Sequence, residues 1–326
     1  MDKINDKGES FMGKIAFLFP GQGSQTVGMG QALAQSEQEV SETFTKADEV
    51  LGESLSHLIF EGPQEKLTLT TNAQPALLTT SIAILEYFSQ FGIKPDFTAG
   101  HSLGEYSALV ASGALSFEDA VHAVRKRGEF MEEAVPNGEG TMAAVLGMDR
   151  DKLMDVTETV SAGGNPVQLA NLNCPGQIVI SGSKAGVEEA AVKAKEAGAK
   201  RVIPLDVSGP FHSSLMKPAA ERFEAVLDSI SLKDASIPVI GNVTAEPMTE
   251  AAEIKKRLVE QLYSPVLWED SVSKMLELGV DTFIEIGPGK VLSGLVKKVN
   301  RSARTFAIYD AETCGAAVTA LKEEKE

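Results

Sequence analysis

The residues with the clearest chemical potential form the pattern Gly100-His101-Ser102-Leu103-Gly104. It lies between a predicted strand, Pro95 to Ala99, and a predicted helix that begins at Glu105. In a strand–turn–helix setting, G-x-S-x-G makes a sharp turn that exposes the serine, and the helix N-terminus offers N–H groups to an oxyanion. The pattern predicts that Ser102 is a nucleophile. The alternative is a serine that only caps a helix.

A serine hydroxyl needs a base, and the chain has four histidines. His57 and His122 fall in helical stretches without nearby chemistry. His101 adjoins Ser102, but adjacent side chains of an elbow point apart. His212 follows a Gly-Pro turn and comes after Ser102 in the chain, the order found in elbow enzymes. Elimination therefore favours His212 as the base.

Two further side chains leave alternatives open. Asp206 is a candidate third member of a triad, although it is predicted to lie within a strand, and a dyad with a main-chain acceptor is equally possible. Arg127 lies in the basic run Arg125-Lys126-Arg127. Composition favours a solvated basic turn there, whereas a buried arginine would hold a substrate carboxylate by a bidentate pair.

Composition indicates a globular, cytoplasmic protein. The chain has 326 residues, of which 43% are hydrophobic, enough for one large domain or two lobes. The formal net charge of −16 argues against nucleic-acid binding, which needs a basic surface. Two cysteines without a CxxC pattern argue against a disulfide framework and against a zinc site. The sequence contains no run of about 18 apolar residues, so it predicts no transmembrane helix.

The order of predicted elements indicates an α/β fold with a hydrolase-like body and an inserted small lobe. Strands that alternate with helices predict a mostly parallel sheet in the body. Residues 137–206 show the order βαββαβ, which is typical of a ferredoxin-like unit. We expect strands at 142–148, 167–171, 177–181 and 201–207 in this lobe, and a body strand at 237–243. The predicted domains are a body at 13–136 and 207–316, a small lobe at 137–206, a flexible arm at 1–12 and an acidic tail at 317–326.

Six motifs in sequence order resemble the malonyl-CoA:acyl carrier protein transacylase family. They cover nearly the whole chain, from about Lys14 to Val299. The motifs are FPGQGSQ at 19–25, GHSLGEYSALVASGAL at 100–115, RKRGEFMEEAVP at 125–136, NLNCPGQIVISG at 171–182, SGPFHS at 208–213 and IEIGPGKVLSGL at 284–295.

This resemblance implies a ping-pong transfer of malonyl from malonyl-CoA to the phosphopantetheine thiol of acyl carrier protein, in fatty acid biosynthesis. It implies acyl carrier protein as the partner. We also expect no metal, no cofactor and a monomer. Phe211 resembles the malonyl-preferring version of the family. The implied roles are Ser102 as nucleophile, His212 as base, the N–H groups of Gln22 and Leu103 as oxyanion hole, Arg127 as carboxylate ligand, the carbonyl of Gln261 as acceptor for His212, and Gln74, His101 and Asn173 as lining or support.

Two alternatives to this function use the same residues. A serine hydrolase or thioesterase would pass the acyl group to water, and an inactive acyltransferase fold would only dock the carrier. Docking itself has two candidate basic stretches, each of which can equally be a solvated helix face. They are Lys290, Lys297, Lys298, Arg301 and Arg304 near the carboxyl end, and Lys193, Lys195, Lys200 and Arg201 on the small lobe.

Overall fold

The computed structural model describes residues 13–136 and 138–323, so the predicted arm at 1–12 lies outside the described residues. Within those residues the strands form two sheets. The strands are β1 (Lys14–Phe19), β2 (Phe97–Gly100), β3 (Gly140–Leu146), β4 (Val167–Cys174), β5 (Gln177–Ser183), β6 (Arg201–Pro204), β7 (Val239–Ile240), β8 (Pro247–Met248), β9 (Val280–Ile286) and β10 (Arg304–Ile308).

Helices cover both sheets. They are α1 (Gln31–Ser36), α2 (Gln38–Leu51), α3 (Leu55–Glu61), α4 (Gln64–Thr68), α5 (Thr70–Ser89), α6 (Gly104–Ala111), α7 (Phe117–Glu133), α8 (Arg150–Ala162), α9 (Lys184–Glu196), α10 (Lys217–Ser229), α11 (Ala251–Gln261), α12 (Trp268–Glu277), α13 (Val291–Val299) and α14 (Ala311–Glu323), with a 3-10 turn at Ser214–Met216 before α10. None of the helices in the described part of the chain is long and apolar enough to cross a membrane.

The body contains a six-stranded sheet in the order β10-β9-β1-β2-β7-β8. All neighbours are parallel except β7 and β8, which confirms the mostly parallel sheet. The predicted strand at 237–243 is too long, because only Val239–Ile240 pair. The chain leaves the sheet where Gly241 N–H donates to the carbonyl of Glu246, closing a turn into β8 at 3.0 Å.

Helix α5 fills the centre of the body. Its residues are buried on nearly every side, unlike the one-sided pattern of a surface helix. On one side it packs against α7, where a Cβ on Gly128 would lie 2.9 Å from the carbonyl oxygen of Thr70. This close approach brings α7 and the first turn of α5 together beside the carboxyl end of β2.

The small sheet has the antiparallel order β4-β5-β3-β6 and confirms the ferredoxin-like prediction. Its last strand is shorter than expected, ending at Pro204 rather than at residue 207. One further hydrogen bond follows Pro204, from the N–H of Leu205 to the carbonyl of Met142 at 3.0 Å, and the pairing then stops. Asp206 therefore lies in the connection after β6, and its predicted place within a strand is wrong.

Strand β4 joins the small sheet to the body through main-chain hydrogen bonds. Leu172 N–H donates to Val266 O at 2.9 Å, and Val266 N–H donates to Ala170 O at 2.8 Å. The side chain of Gln168, also on β4, accepts the N–H of Ser214 at 2.8 Å and donates to the carbonyl of His212 at 3.4 Å. The small sheet is thus bonded along one strand to connecting segments of the body.

A buried carboxylate explains the Gly287-Pro288-Gly289-Lys290 turn. Glu285 is fully buried at the end of β9 and accepts the N–H groups of Leu292 at 3.0 Å and Ser293 at 2.7 Å. It therefore satisfies free donors in the first turn of α13. The turn has a structural role here.

The carboxyl-terminal helix extends into the predicted acidic tail. Residues 317–323 belong to α14, because Ala317, Val318 and Leu321 are buried against the body. Residues 324–326 lie outside the described residues.

Replacing Glu285 with leucine should lower the free energy of unfolding by about 2 kcal/mol, because two N–H groups lose their acceptor. Urea denaturation followed by circular dichroism measures this change. Glu158→Leu, on the exposed face of α8, is the control and should change stability by less than about 0.5 kcal/mol. A Glu285→Leu protein as stable as this control would contradict the capping role.

Candidate active site

The serine turn is sharp and tightly packed. Ser102 has a φ of 50°, a left-handed conformation that costs a non-glycine residue about 1–3 kcal/mol. A Cβ on Gly100 would lie 1.9 Å from the carbonyl of Gly104, and one on Gly104 would lie 2.0 Å from the carbonyl oxygen of Phe19. Only glycine fits at either position, so β1, β2 and α6 together force the turn that presents Ser102.

Ser102 and His212 form a hydrogen-bonded pair. The Oγ of Ser102 lies 2.8 Å from Nε2 of His212, and Nδ1 of His212 lies 2.8 Å from the carbonyl oxygen of Gln261. A carbonyl can only accept, so Nδ1 carries the proton and Nε2 is free to accept one. This is the tautomer that a base toward Ser102 needs.

The group facing Nδ1 is a main chain and not a carboxylate. Of the two alternatives left open by the residues, the geometry favours the dyad with a main-chain acceptor. Asp206 lines the same cavity from the connection after β6, while Gln261 holds the position that a triad acid would take.

Arg127 is buried, with 1% of its surface exposed, so the solvated-turn interpretation is wrong. Its guanidinium donates to Oε1 of Gln74 at 2.8 Å, to Oε1 of Gln261 at 2.9 Å and to Oγ of Ser102 at 3.1 Å. Because arginine can only donate, the Ser102 hydroxyl must accept from it and direct its own proton to His212. The Nε–H of Arg127 has no acceptor among the described residues.

Two of the predicted supporting residues form a pair beside the serine. Nε2 of His101 lies 2.8 Å from Oδ1 of Asn173, and the His101 ring contacts Trp268 with centroids 5.6 Å apart. His101 thereby ties the elbow to β4 of the small sheet. Gln74 is fully buried on α5, where it accepts from Arg127 rather than lining the cavity.

The two predicted oxyanion donors belong to two separate segments beside the serine. Leu103 directly precedes α6, and Gln22 follows β1, where its side chain donates to Thr70 at 3.1 Å. A Cβ on Gly21 would lie 2.3 Å from the carbonyl of His101, so the Gln22 segment passes close to the elbow. Neither main-chain N–H donates to another group within residues 13–136 and 138–323.

A cavity of about 310 Å³ opens over this constellation. The body supplies the polar residues at its floor, and Met142 of β3 and Asn171 of β4 supply its opposite wall. Its lining includes Gln22, His101, Ser102, Arg127, Phe211 and His212.

Burial controls the charges at the site. Burial, and then the nearby positive charge of Arg127, lower the pKa of His212 from 6.5 to about 3. Burial raises the pKa of Glu105 from 4.5 to about 7, despite hydrogen bonds from Gln261 and Asn242. Burial also lowers the pKa of His101. The site therefore holds a neutral base next to a permanent cation.

Sequence reasoning missed Asn242. Its Oδ1 accepts the N–H of Ser102 at 2.7 Å, and its Nδ2 donates to the carbonyl of Gly100 at 2.7 Å. It bridges both sides of the elbow and occupies the serine's own N–H. The sequence did contain a signal for Asn242, because it closely follows β7. Parallel strands bring their carboxyl ends to one edge of a sheet, so a polar residue at that place is expected near Ser102.

The other histidines and possible metal ligands lie apart from this chemistry. His57 and His122 are exposed on α3 and α7. Within the described residues no group of three or more His, Cys, Asp or Glu side chains could hold a metal ion.

Known proteins resemble this chain over nearly its full length. The acyl transferase domain family matches residues 16–323. Malonyl CoA-acyl carrier protein transacylase of Bacillus subtilis (strain 168) is 66% identical over 315 residues, which cover 97% of this chain and 99% of that protein.

Solved structures also resemble this chain over most of its length. An acyl carrier protein S-malonyltransferase from Vibrio cholerae is 45% identical with a TM-score of 0.91, and the match covers 93% of this chain and 99% of that one. A malonyl-transacylase in complex with its type II PKS acyl-carrier protein is 43% identical with a TM-score of 0.92, covering 94% of this chain and 99% of that one.

The imidazole of His212 should stay uncharged between about pH 5 and pH 8, because its pKa of about 3 lies well below that window. The Cε1–H resonance in NMR, assigned by its loss in His212→Ala, should not shift with pH across this range. A titration of that resonance with a midpoint near 6.5, the ordinary value for histidine, would contradict the burial argument.

Proposed function

Because this chain belongs to the acyl transferase domain family, we propose that Ser102, His212 and Arg127 are the residues that perform its reaction. The enzyme transfers the malonyl group from malonyl-CoA to the phosphopantetheine thiol of acyl carrier protein, and so supplies extender units for fatty acid biosynthesis. The observation that carries the residue assignment is the contact between the buried Arg127 guanidinium and Ser102 Oγ, 3.1 Å apart.

The first half-reaction acylates Ser102. Its Oγ attacks the thioester carbonyl of malonyl-CoA while Nε2 of His212 accepts the hydroxyl proton. The tetrahedral oxyanion binds the N–H groups of Leu103 and Gln22, where the loss of one donor costs about 3–4 kcal/mol in such sites. The C–S bond then breaks, the proton passes from His212 to the leaving sulfur, and malonyl-serine remains.

The second half-reaction reverses these steps with a different thiol. The phosphopantetheine thiol of the carrier gives its proton to Nε2 of His212 and attacks the malonyl ester. The same two N–H groups hold the new oxyanion. The C–O bond to Ser102 breaks, and Oγ recovers its proton from His212.

Arg127 selects the acyl group. A malonyl group ends in a carboxylate that can pair with the guanidinium, whereas an acetyl group leaves this buried charge without a counter-ion. The pair also offsets the positive charge that, after burial, lowers the pKa of His212. The correct substrate therefore strengthens the base that it needs. Phe211, next to His212, contributes an apolar wall to the same cavity.

The remaining assignments extend this proposal. His101 and Asn173 support the elbow, Gln74 holds Arg127, and the carbonyl of Gln261 orients His212. We place the enzyme in the cytoplasm as a monomer that needs no cofactor, with a body at 13–136 and 207–323 and a small lobe at 137–206. The docking surface for the carrier stays a prediction between the two basic stretches.

Incubation with malonyl-CoA in the absence of carrier should add one malonyl group to Ser102, because the ester forms before the acceptor arrives. Intact-protein mass spectrometry followed by peptide mapping detects it. Ser102→Ala should show no adduct. Ser107→Ala, which replaces a buried serine on α6, should retain it. A wild-type protein without adduct would refute the covalent mechanism, and rapid release of free malonate would favour a hydrolase.

Replacing Arg127 with alanine should reduce the preference for malonyl-CoA over acetyl-CoA by about a hundredfold, since removing one partner of a buried charge pair costs about 3 kcal/mol. The ratio of the two kcat/KM values measures it. Arg125→Ala, on the same helix but paired with Glu53, is the matched control and should keep the preference. An Arg127→Ala enzyme with the wild-type ratio would rule out the carboxylate contact.

A further inference from the structure

Glu105 is a buried carboxylate directly beneath the serine turn. Only 1% of its surface is exposed, and it is not part of the cavity lining. Its Oε2 accepts from Nε2 of Gln261 at 2.7 Å and from the N–H of Asn242 at 3.2 Å. It therefore contacts two residues that in turn hold the site, without reaching the substrate itself.

The hydrogen bonds around Gln261 have a fixed direction. At one end the main-chain N–H of Asn242 can only donate, so the atom facing it must be an acceptor. At the other end the guanidinium of Arg127 can only donate, and it does so to Oε1 of Gln261 at 2.9 Å. A reversed Gln261 amide would set NH₂ against the guanidinium and oxygen against the carboxylate of Glu105.

Glu105 makes the strongest contact on the amino side of this amide. The carbonyl of Ser102 also accepts from Nε2 of Gln261, but at 3.1 Å and without a formal charge. The bond to Glu105 is shorter, at 2.7 Å, and its acceptor is a carboxylate. Charge-assisted bonds are roughly twice as strong as neutral ones. Glu105 is therefore the strongest acceptor that holds the amino side of the Gln261 amide, while Arg127 holds its oxygen side.

A carboxylate suits this task better than an amide, because it has no donor to present when ionised. Burial raises the pKa of Glu105 to about 7. A proton taken up near that pH goes to Oε1, which has no hydrogen-bond partner among the described residues. Oε2 continues to accept from Gln261 and Asn242 in either state.

We propose that Glu105 is a positioning residue for substrate selection: it fixes the amide of Gln261, which holds Arg127 where the carboxylate of the substrate binds. This inference rests on the proposed function of Arg127. It predicts that loss of the acceptor at Glu105 affects recognition of the malonyl group more than the reactivity of Ser102.

The test compares three variants by the ratio of kcat/KM for malonyl-CoA to kcat/KM for acetyl-CoA. Glu105→Leu removes the acceptor. Glu105→Gln keeps one, because the N–H of Asn242 selects the oxygen of the new amide. Glu285→Leu is the matched control, since it removes an equally buried glutamate that caps α13 away from the cavity.

Glu105→Leu should lower this ratio by about fivefold or more, the effect of about one hydrogen bond, mainly through a higher KM for malonyl-CoA. Glu105→Gln and Glu285→Leu should keep the ratio within about twofold of the wild type. If circular dichroism shows that Glu105→Leu does not fold, Glu105→Met, with an unbranched chain of similar length, replaces it.

A folded Glu105→Leu or Glu105→Met enzyme with an unchanged ratio would overturn the inference. So would an equal fall in Glu285→Leu, which would indicate a general loss of stability, or a fall in Glu105→Gln as large as that in Glu105→Leu, because the amide of Glu105→Gln keeps an acceptor oxygen. Mass spectrometry of the malonyl adduct distinguishes a failure of the proposed function from a failure of the inference about Glu105. A wild-type protein without adduct refutes the proposed function, whereas normal adducts with an unchanged ratio refute only the role of Glu105.

Discussion

The guanidinium of Arg127 is a buried cation that can donate hydrogen bonds but not accept them, and the rest of the site is arranged around that constraint. Gln74 from α5, Gln261 from α11 and Ser102 from the elbow all turn an oxygen toward it. An unpaired buried charge would cost several kcal/mol, and each of these acceptors offsets part of that cost. The direction of the Ser102 hydroxyl, and through it the role of His212, follows from this one group.

The fold meets the constraint by bringing distant segments to one edge of the parallel sheet. β1, β2 and β7 end beside each other, and the chains that follow them supply Gln22, Ser102 and Asn242. The strained conformation of Ser102 persists because Asn242 bonds on both sides of the turn. Strain at the nucleophile is thus balanced by a side chain that does not line the cavity.

The sequence was sufficient for the features that depend on local pattern. The G-x-S-x-G motif between a strand and a helix predicts the elbow, and the βαββαβ order predicts the small antiparallel sheet. The sequence was insufficient where the burial of a side chain determines its role. Arg127 stands in a basic run and looks solvated, and only the packing of α7 on α5, made close by Gly128, shows that it faces inward.

Other outcomes depended on contacts between segments far apart in the chain. A carbonyl from Gln261 in place of a carboxylate cannot be recognised from residue types, because every residue has one. The short strand β7 is set by a turn that uses Asn242 for the elbow, so a pattern of apolar residues overestimates its length. Asp206 was an acceptable triad candidate until the carbonyl of Gln261 proved to hold the position that faces Nδ1 of His212.

The bond between Gln168 of β4 and the carbonyl of His212 makes the small sheet part of the catalytic geometry. β4 is also bonded to Val266 in the segment between α11 and α12, only a few residues after Gln261. The β4 edge of the small sheet is therefore bonded both to the residue that carries the imidazole and to the segment after α11, the helix whose last carbonyl faces that imidazole. The alignment of the base consequently depends on how the small sheet packs against the body, and not on the body alone.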